Sequence, residues 1–366
     1  MAPTEPTGVG KLAVPPPLKP MLAKATTEMP DGQPLAYEPK WDGFRCIVFR
    51  HGDDVELGSR NQRPFNRYFP ELIDPIRRQL PSRCVVDGEL VVPRPGGLDF
   101  DALQQRIHPA ESRVRRLAVE APVHFVAFDL LAFDEHSLIE RPFRQRRQLL
   151  EQAFADAEPP LHLTPITDDI ETARDWFGRF EGAGLDGVVA KNPDGAYEPD
   201  KRGWIKVKHE RTADVVVAGF RWHKDGEGVG SLLLGLYDAD GSLHHVGVGT
   251  GLSAKRRREL VGELEPIRVN ALDGHPWAHW RDDAAHQQGD TRMPGGPSRW
   301  SGDRNLEWEA LRCERVCEIR FTQLQGWRLR HNGKFLRWRV DKNPADCTID
   351  QLDVATPVEF SDVFTD

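Results

Sequence analysis

No uninterrupted apolar run in the 366 residues approaches the roughly 18 that a membrane-spanning helix needs, so a helical membrane protein is excluded. Cysteine is scarce. Cys46, Cys84, Cys313, Cys317 and Cys347 are odd in number, scattered and without a C-x-x-C pair, which argues against a disulfide framework and a zinc knuckle and fits reduced thiols. A basic start followed by an apolar stretch and a small-residue cleavage site is also missing. Pro15, Pro16 and Pro17 interrupt the one place where it could lie, so a cytoplasmic protein is expected. No repeat of fixed period is present. Nor is there an excess of basic charge: 49 Lys and Arg face 57 Asp and Glu, and a net charge of −8 does not advertise a nucleic-acid binder. What remains is an ordinary globular composition, 39% apolar and 29% charged, long enough for two cored domains.

The pattern divides the chain. Residues 1–20 read as a proline-rich lead lying on another surface. From 21 to 212, strands are expected over Leu35 to Glu38, Phe44 to Arg50, Val55 to Arg60, Cys84 to Pro93, Val123 to Phe133, Leu185 to Lys191 and Gly203 to His209. Helices are expected over Phe69 to Leu80, Arg141 to Phe154 and Ile170 to Glu181, giving a mixed α+β domain with antiparallel hairpins. Residues 213–350 carry shorter strands, Val215 to Trp222, Ser231 to Tyr237 and Leu243 to Val248. A helix follows over Ser253 to Leu264, with Ser253 as N-cap, and Cys313 to Leu324 with Gly326 to Arg330 completes a five-stranded OB-type barrel. Asp273 to Arg304 is aperiodic and reads as a functional flap or a disordered segment. Gly226, Gly228 and Gly230 read as a hairpin tip, and His244-His245 and His275 to His279 as surface residues. Eight Lys and Arg between Arg315 and Lys342 oppose only Glu318 and Asp341. From Asp346 on there are six acids and no base, so 351–366 reads as an acidic tail. The basic run is either a solvated strand face or a phosphate-facing surface.

Chemistry enters at Glu38-Pro39-Lys40-Trp41-Asp42-Gly43-Phe44-Arg45. A lysine in a tight turn has a carboxylate two residues on and an arginine five residues on. Alone, K-x-D-G is also what a hairpin lysine beside a turn-forming Asp-Gly produces. Only about 0.1% of an ordinary lysine is neutral near physiological pH, so a nucleophilic one needs cations or desolvation around it. The blocks that follow, in order, are Ser59-Arg60-Asn61, Asp87-Gly88-Glu89-Leu90, Phe128-Asp129, Asp186-Gly187-Val188-Val189-Ala190-Lys191 and Trp204-Ile205-Lys206-Val207-Lys208. As a set they resemble the nucleotidyltransferase superfamily of polynucleotide ligases and RNA capping enzymes. Phe335 to Lys342 resembles the last motif of ATP-dependent DNA ligases, and the layout, including Pro20-Met21-Leu22-Ala23, is most similar to the compact bacterial C-type members.

That resemblance implies an α+β ligase-type nucleotidyltransferase (adenylation) domain followed by an OB-fold domain. It implies lysine adenylation by ATP, AMP transfer to a 5′-phosphate and attack by a 3′-hydroxyl, with Mg²⁺ or Mn²⁺. Lys40 is the implied nucleophile, and Asp42, two positions on, the implied catalytic carboxylate that holds metal or orients the amine. Glu38, Arg45, Glu89, Phe128, Lys206 and Lys208 are implied nucleotide contacts, Phe128 stacking on adenine. Arg60 meets the nick 5′-phosphate, and Glu89 and Asp186 hold metal. Asp186 stands where many ligases carry glutamate, one methylene longer. Arg337, Arg339, Asp341 and Lys342 form the implied pyrophosphate-release motif, which requires the barrel to swing about a hinge near Glu210 to Ala213. Nicked duplex DNA is the implied substrate of a monomeric, nucleoid-associated repair enzyme, with a repair polymerase or end-binding protein as partner. Competing readings are an RNA ligase or capping guanylyltransferase, and an inert OB-containing DNA-binding protein.

Overall fold

Lys40 sits where the chain leaves one sheet for another. The computed structural model describes residues 8–278, 307–352 and 356–365. They fall into two compact units: the described residues up to Lys208 together with 356–365, and the described residues from His209 to 352. The division lies four residues before the boundary at 212. The acidic segment does not stand apart, because Phe360 and Val363 are buried in the first unit. The lead packs on the larger sheet, where Val9, Leu12 and Val14 are buried with Ile47 and Phe49.

In the first unit the larger sheet orders its strands Leu161–Leu163, His124–Phe133, Arg83–Val91, Phe44–His51 and Asp54–Ser59. His124–Phe133 is buried on both faces for most of its length, which explains a near-continuous apolar run instead of alternation. The helices Ile73–Gln79 and Phe143–Ala153 match the expected periodicity within a few residues. The smaller sheet orders Leu22–Thr26, Arg202–Lys208, Gly187–Lys191 and Ala36–Pro39. Its edge strand Leu22–Thr26 has no expected counterpart; it pairs parallel to Arg202–Lys208. Lys40 joins Ala36–Pro39 of the small sheet to Phe44–His51 of the large one.

The glycines after the acids make these approaches possible. A Cβ on Gly43 would lie 2.0 Å from the Leu90 carbonyl oxygen, and one on Gly187, whose φ is +131°, 2.0 Å from that of Val207. No other residue permits backbones that close.

The second unit is a closed five-stranded barrel. Arg211–Trp222, Val229–Tyr237, Leu243–Thr250, Gly333–Trp338 and Val316–Phe321 pair in a ring, Val316–Phe321 returning to Arg211–Trp222. The fifth strand is therefore Gly333–Trp338, not Gly326 to Arg330, whose Arg328–Leu329 pairs locally with Leu324–Gln325. The helix Ala254–Arg268 starts where expected, the Ser253 side chain accepting from Arg256 N at 3.2 Å. Gly226 and Gly228 lie at the 222–229 hairpin tip, where His223 N donates to Gly228 O. The histidines correct the surface reading. His245 and His275 are buried, and burial pushes His245 down to about 3. Trp277 is buried too, its Nε1 donating to Leu243 O at 2.8 Å, so the proposed flap begins as barrel core. The rest of that segment, 279–304, and His279 lie outside the described residues.

Candidate active site

Strand alternation aims one row of the small sheet at a single cavity. Ala25, Lys206, Val189 and Glu38 are register neighbours across its four strands, and all four line a cavity of about 310 Å³. Arg202 and Trp204 share the Lys206 face of their strand and line it as well. From the large sheet come Arg45, Glu89 and Phe128, and from the loops Lys40 and Arg60. Phe128 reaches it through a bulge. Asp87 pairs with Asp129 and Gly88 with Ala127, leaving 128 without an opposite residue, and a bulge re-aims its side chain.

Lys40 is clamped before its side chain does anything. Its N donates to Gly187 O at 2.8 Å, and its O accepts from Asp186 N at 2.9 Å. Its Nζ lies 2.6 Å from Asp186 Oδ2, and Lys208 Nζ lies 2.5 Å from the same oxygen. Burial raises the Asp186 carboxyl's pKa, but the two ammonium groups outweigh it and leave the group below its usual range. Lys206 is pushed down, first by desolvation and then by Lys208, Lys40 and Arg60, so these cations converge. Asp186, expected as a metal ligand, here serves two lysines.

Glu89 behaves in the opposite way. Desolvation raises its carboxyl to about 7; Arg45 and Lys40 pull it down, while Asp42 and Asp87 add to the rise. Asp42 is thus placed near Glu89 in the lysine turn. Arg45 donates from Nε and Nη2 to Asp87, 2.5 Å each, and from Nη2 to Met21 O at 3.2 Å. Its guanidinium lies 4.5 Å over the Phe128 ring. Fully buried Asp87 also accepts from Tyr197 Oη at 2.6 Å, so it holds Arg45 in place.

Glu38 is buried, its Oε2 2.6 Å from Lys191 Nζ. Burial opposes both charges, raising Glu38 and lowering Lys191. Lys191, left out of the expected site, donates to Phe128 O at 2.9 Å and sits 4.5 Å from the Trp204 ring centroid, fixing the floor beneath Phe128.

This layout occupies a recognised sequence region. Residues 20–208 match the ATP dependent DNA ligase domain, and residues 225–342 match the ATP dependent DNA ligase C terminal region. The chain belongs to the ATP-dependent DNA ligase family. The ligase is 52% identical over 359 residues to DNA ligase C of Mycobacterium tuberculosis, covering 96% of this chain and 98% of that protein. To DNA ligase C2 of Mycolicibacterium smegmatis it is 53% identical, over 93% of this chain and 96% of that one. A solved structure from work on DNA binding by the minimal scaffold of Lig E DNA ligases shares its fold, with TM-score 0.53 at 17% identity over 87% of this chain and 99% of that one. The ligase is thus of the compact bacterial C type. No helix among its described residues is long and apolar enough to cross a membrane.

The ligase's second unit carries the remaining expected residues. Arg339 Nη1 donates to both oxygens of Asp214 at 2.8 Å, and its Nη2 to Asp341 at 2.7 Å. Arg337 Nε donates to Glu318 at 2.6 Å, with the side chain largely exposed, and Lys342 lies 4.0 Å from Asp214. Sequence reasoning missed Arg202, set Trp204 aside as a packing or framework residue, and missed Tyr197. The first two were accessible from the alternation that placed Lys206 and Lys208 together; Tyr197 lies in a loop and carries no local signal.

Proposed function

We propose that this ATP-dependent DNA ligase carries AMP on Lys40 and joins 3′-hydroxyl and 5′-phosphate ends at nicks. In the first step Lys40 Nζ, having lost its proton, forms a bond to the α-phosphorus of ATP as the bond to the β-phosphate oxygen breaks and pyrophosphate leaves. AMP then passes to the nick 5′-phosphate, and the 3′-hydroxyl displaces it. The observation that carries this reading is the Lys40 clamp, with main chain and ammonium group both fixed by Asp186 at the mouth of a cation-lined cavity.

Lys206 and Lys208 neutralise the α-phosphate, a role that positioning and charge make the main source of catalysis in phosphoryl transfer. Phe128, supported by Lys191, supplies a flat apolar surface for adenine, and Glu38 reads its edge. Arg45 meets the nucleotide, and Arg60 receives the nick phosphate. Asp186 directs the lysine amine, with Asp42 supporting the turn.

Among the described residues no three Asp, Glu, His or Cys gather to hold a metal by themselves. Glu89 nonetheless fits a Mg²⁺ or Mn²⁺ ion that takes its other ligands from phosphates and water, because a carboxyl raised to about 7 exchanges its proton for a cation readily. Asp186 fits less well while two ammonium groups occupy it. The ion supplies charge neutralisation on the transferring phosphates.

Arg337, Arg339, Asp341 and Lys342 assist pyrophosphate departure, Asp214 holding the Arg339 fork ready. Work in DNA repair as a nucleoid-associated monomer, with a repair polymerase or end-binding protein, extends this reading by family membership. Incubation with labelled ATP or GTP, followed by nicked DNA or RNA, tests it. ATP-dependent labelling and DNA sealing are expected; GTP-only labelling would indicate a capping enzyme, and absence of label an inert binder.

A further inference from the structure

Residues 356–365 follow the barrel in sequence yet pack in the first unit, and they lie beyond both matched ligase regions, the second of which ends at 342. Their short 3-10 helix, Phe360–Phe364, joins a cluster with Trp41, Trp176, Phe180 and Leu185. Phe364 stacks on Trp41 with ring centroids 5.3 Å apart and 16° between planes, and Phe360 meets the same indole edge-on at 5.8 Å. Trp41 Nε1 donates to Thr164 Oγ1 at 2.8 Å. The side chain next to Lys40 is therefore fixed by rings and by a directional hydrogen bond.

The same segment also contacts the stretch of chain that precedes Asp186, the other half of the ion pair. Val358 N donates to Gly182 O at 3.1 Å. A Cβ on Gly182 would lie 1.8 Å from the Thr356 carbonyl oxygen, so only glycine lets this strap approach. Gly182 lies in the 3-10 helix Phe180–Ala183, four residues before Asp186. Gly96 N donates to Glu359 Oε1 at 2.9 Å, adding a third anchor. Beneath the strap His162 stacks on Phe364 at 4.9 Å, and its Nε2 lies 2.8 Å from His124 Nδ1.

We propose that residues 356–365 form a C-terminal clasp that holds the Lys40 turn against the Asp186 turn for attack on ATP, with Trp41, Phe360 and Phe364 as positioning residues. The proposal rests on the reading of Lys40 as nucleophile. In-line attack tolerates little misplacement; an error of about 1 Å costs on the order of 10²-fold in rate. A cover with no positioning role would affect stability alone.

The test is Phe360→Ala/Phe364→Ala in the full chain, with Phe364→Leu as a milder variant and Phe364→Tyr as the conservative one. Single-turnover AMP transfer to the protein and sealing of nicks already carrying AMP are measured below each variant's Tm. The clasp predicts that adenylation falls roughly 10- to 100-fold in the double variant and less in Phe364→Leu, recovers in Phe364→Tyr, and leaves pre-adenylated sealing within about 2-fold. Proportional loss of both activities in the double variant and Phe364→Leu would overturn it. Burial, and then His124, push His162 down to about 3 in the parent; unchanged adenylation while proton NMR shows it titrating near the ordinary histidine range, the sign of a released strap, would also overturn the clasp. Peptide mapping of AMP in the parent separates the failures. Label absent from Lys40 removes the nucleophile reading, whereas label on Lys40 with unaffected variants removes the clasp alone.

Discussion

Asp87 and Asp186 are buried carboxylates with cationic partners, and the difference between them separates framework from chemistry. Asp87 holds Arg45 and Tyr197 in a closed arrangement. Replacing it by Asn leaves Arg45 without its counter-charge, and urea unfolding is expected to show a loss of about 3 kcal/mol. Arg337→Ala, removing a pair at a 64% exposed arginine, is expected to shift stability by less than about 1 kcal/mol. Glu89 supplies a pH test of the cation site. Its proton is held up to about pH 7, so a cation competes with that proton below 7 and not above. The Mg²⁺ concentration needed for half-maximal adenylation should therefore fall between pH 6 and pH 8, and Glu89→Gln should lose that dependence. Lys40, Glu89, Lys206 and Lys208 were legible because each sits in a short block of motif residues. Tyr197 was not, since its bond to Asp87 spans 110 positions and leaves no neighbouring pattern.

At the scale of elements, period-2 alternation placed Lys206 and Lys208 on one face, but it could not place Phe128, whose aim depends on a register slip against Asp87-Gly88. The barrel's last strand was displaced for a related reason. Trp327, Arg328 and Leu329 alternate like a ladder strand, yet Gly326, at φ +56°, turns them back on Leu324–Gln325 and leaves Gly333–Trp338 to close the ring. His245 offers an element-level test. Burial holds it neutral in the folded barrel down to about pH 3, whereas the unfolded chain protonates near 6.5. Between those values the unfolded state binds more protons, so stability is full above about pH 6.5 and declines on acidification by about 1.4 kcal/mol per pH unit. Urea unfolding from pH 7 to pH 4 should show this contribution, and His245→Leu should flatten the slope.

For the molecule as a whole, motif order and the change in strand pattern revealed both units, but not the return of the chain to the first. Six acids without a base from Asp346 on marked 351–366 as an acidic tail set apart from both domains, although Phe360, Val363 and Phe364 have the i, i+3, i+4 spacing of a buried helical face. Nucleotide binding should also register globally. ATP at about 100 times its Kd stabilises the folded state by roughly 2.7 kcal/mol, and Lys40→Ala, which lacks the nucleophile but keeps the cavity, should retain a thermal shift with ATP while losing covalent label. The most direct test of the central claim is mass spectrometry of the protein after exposure to ATP and Mg²⁺. AMP should map to Lys40, and Lys40→Ala should carry none and join no unadenylated nick. AMP mapped to another side chain, or joining that persists in Lys40→Ala, would contradict the account.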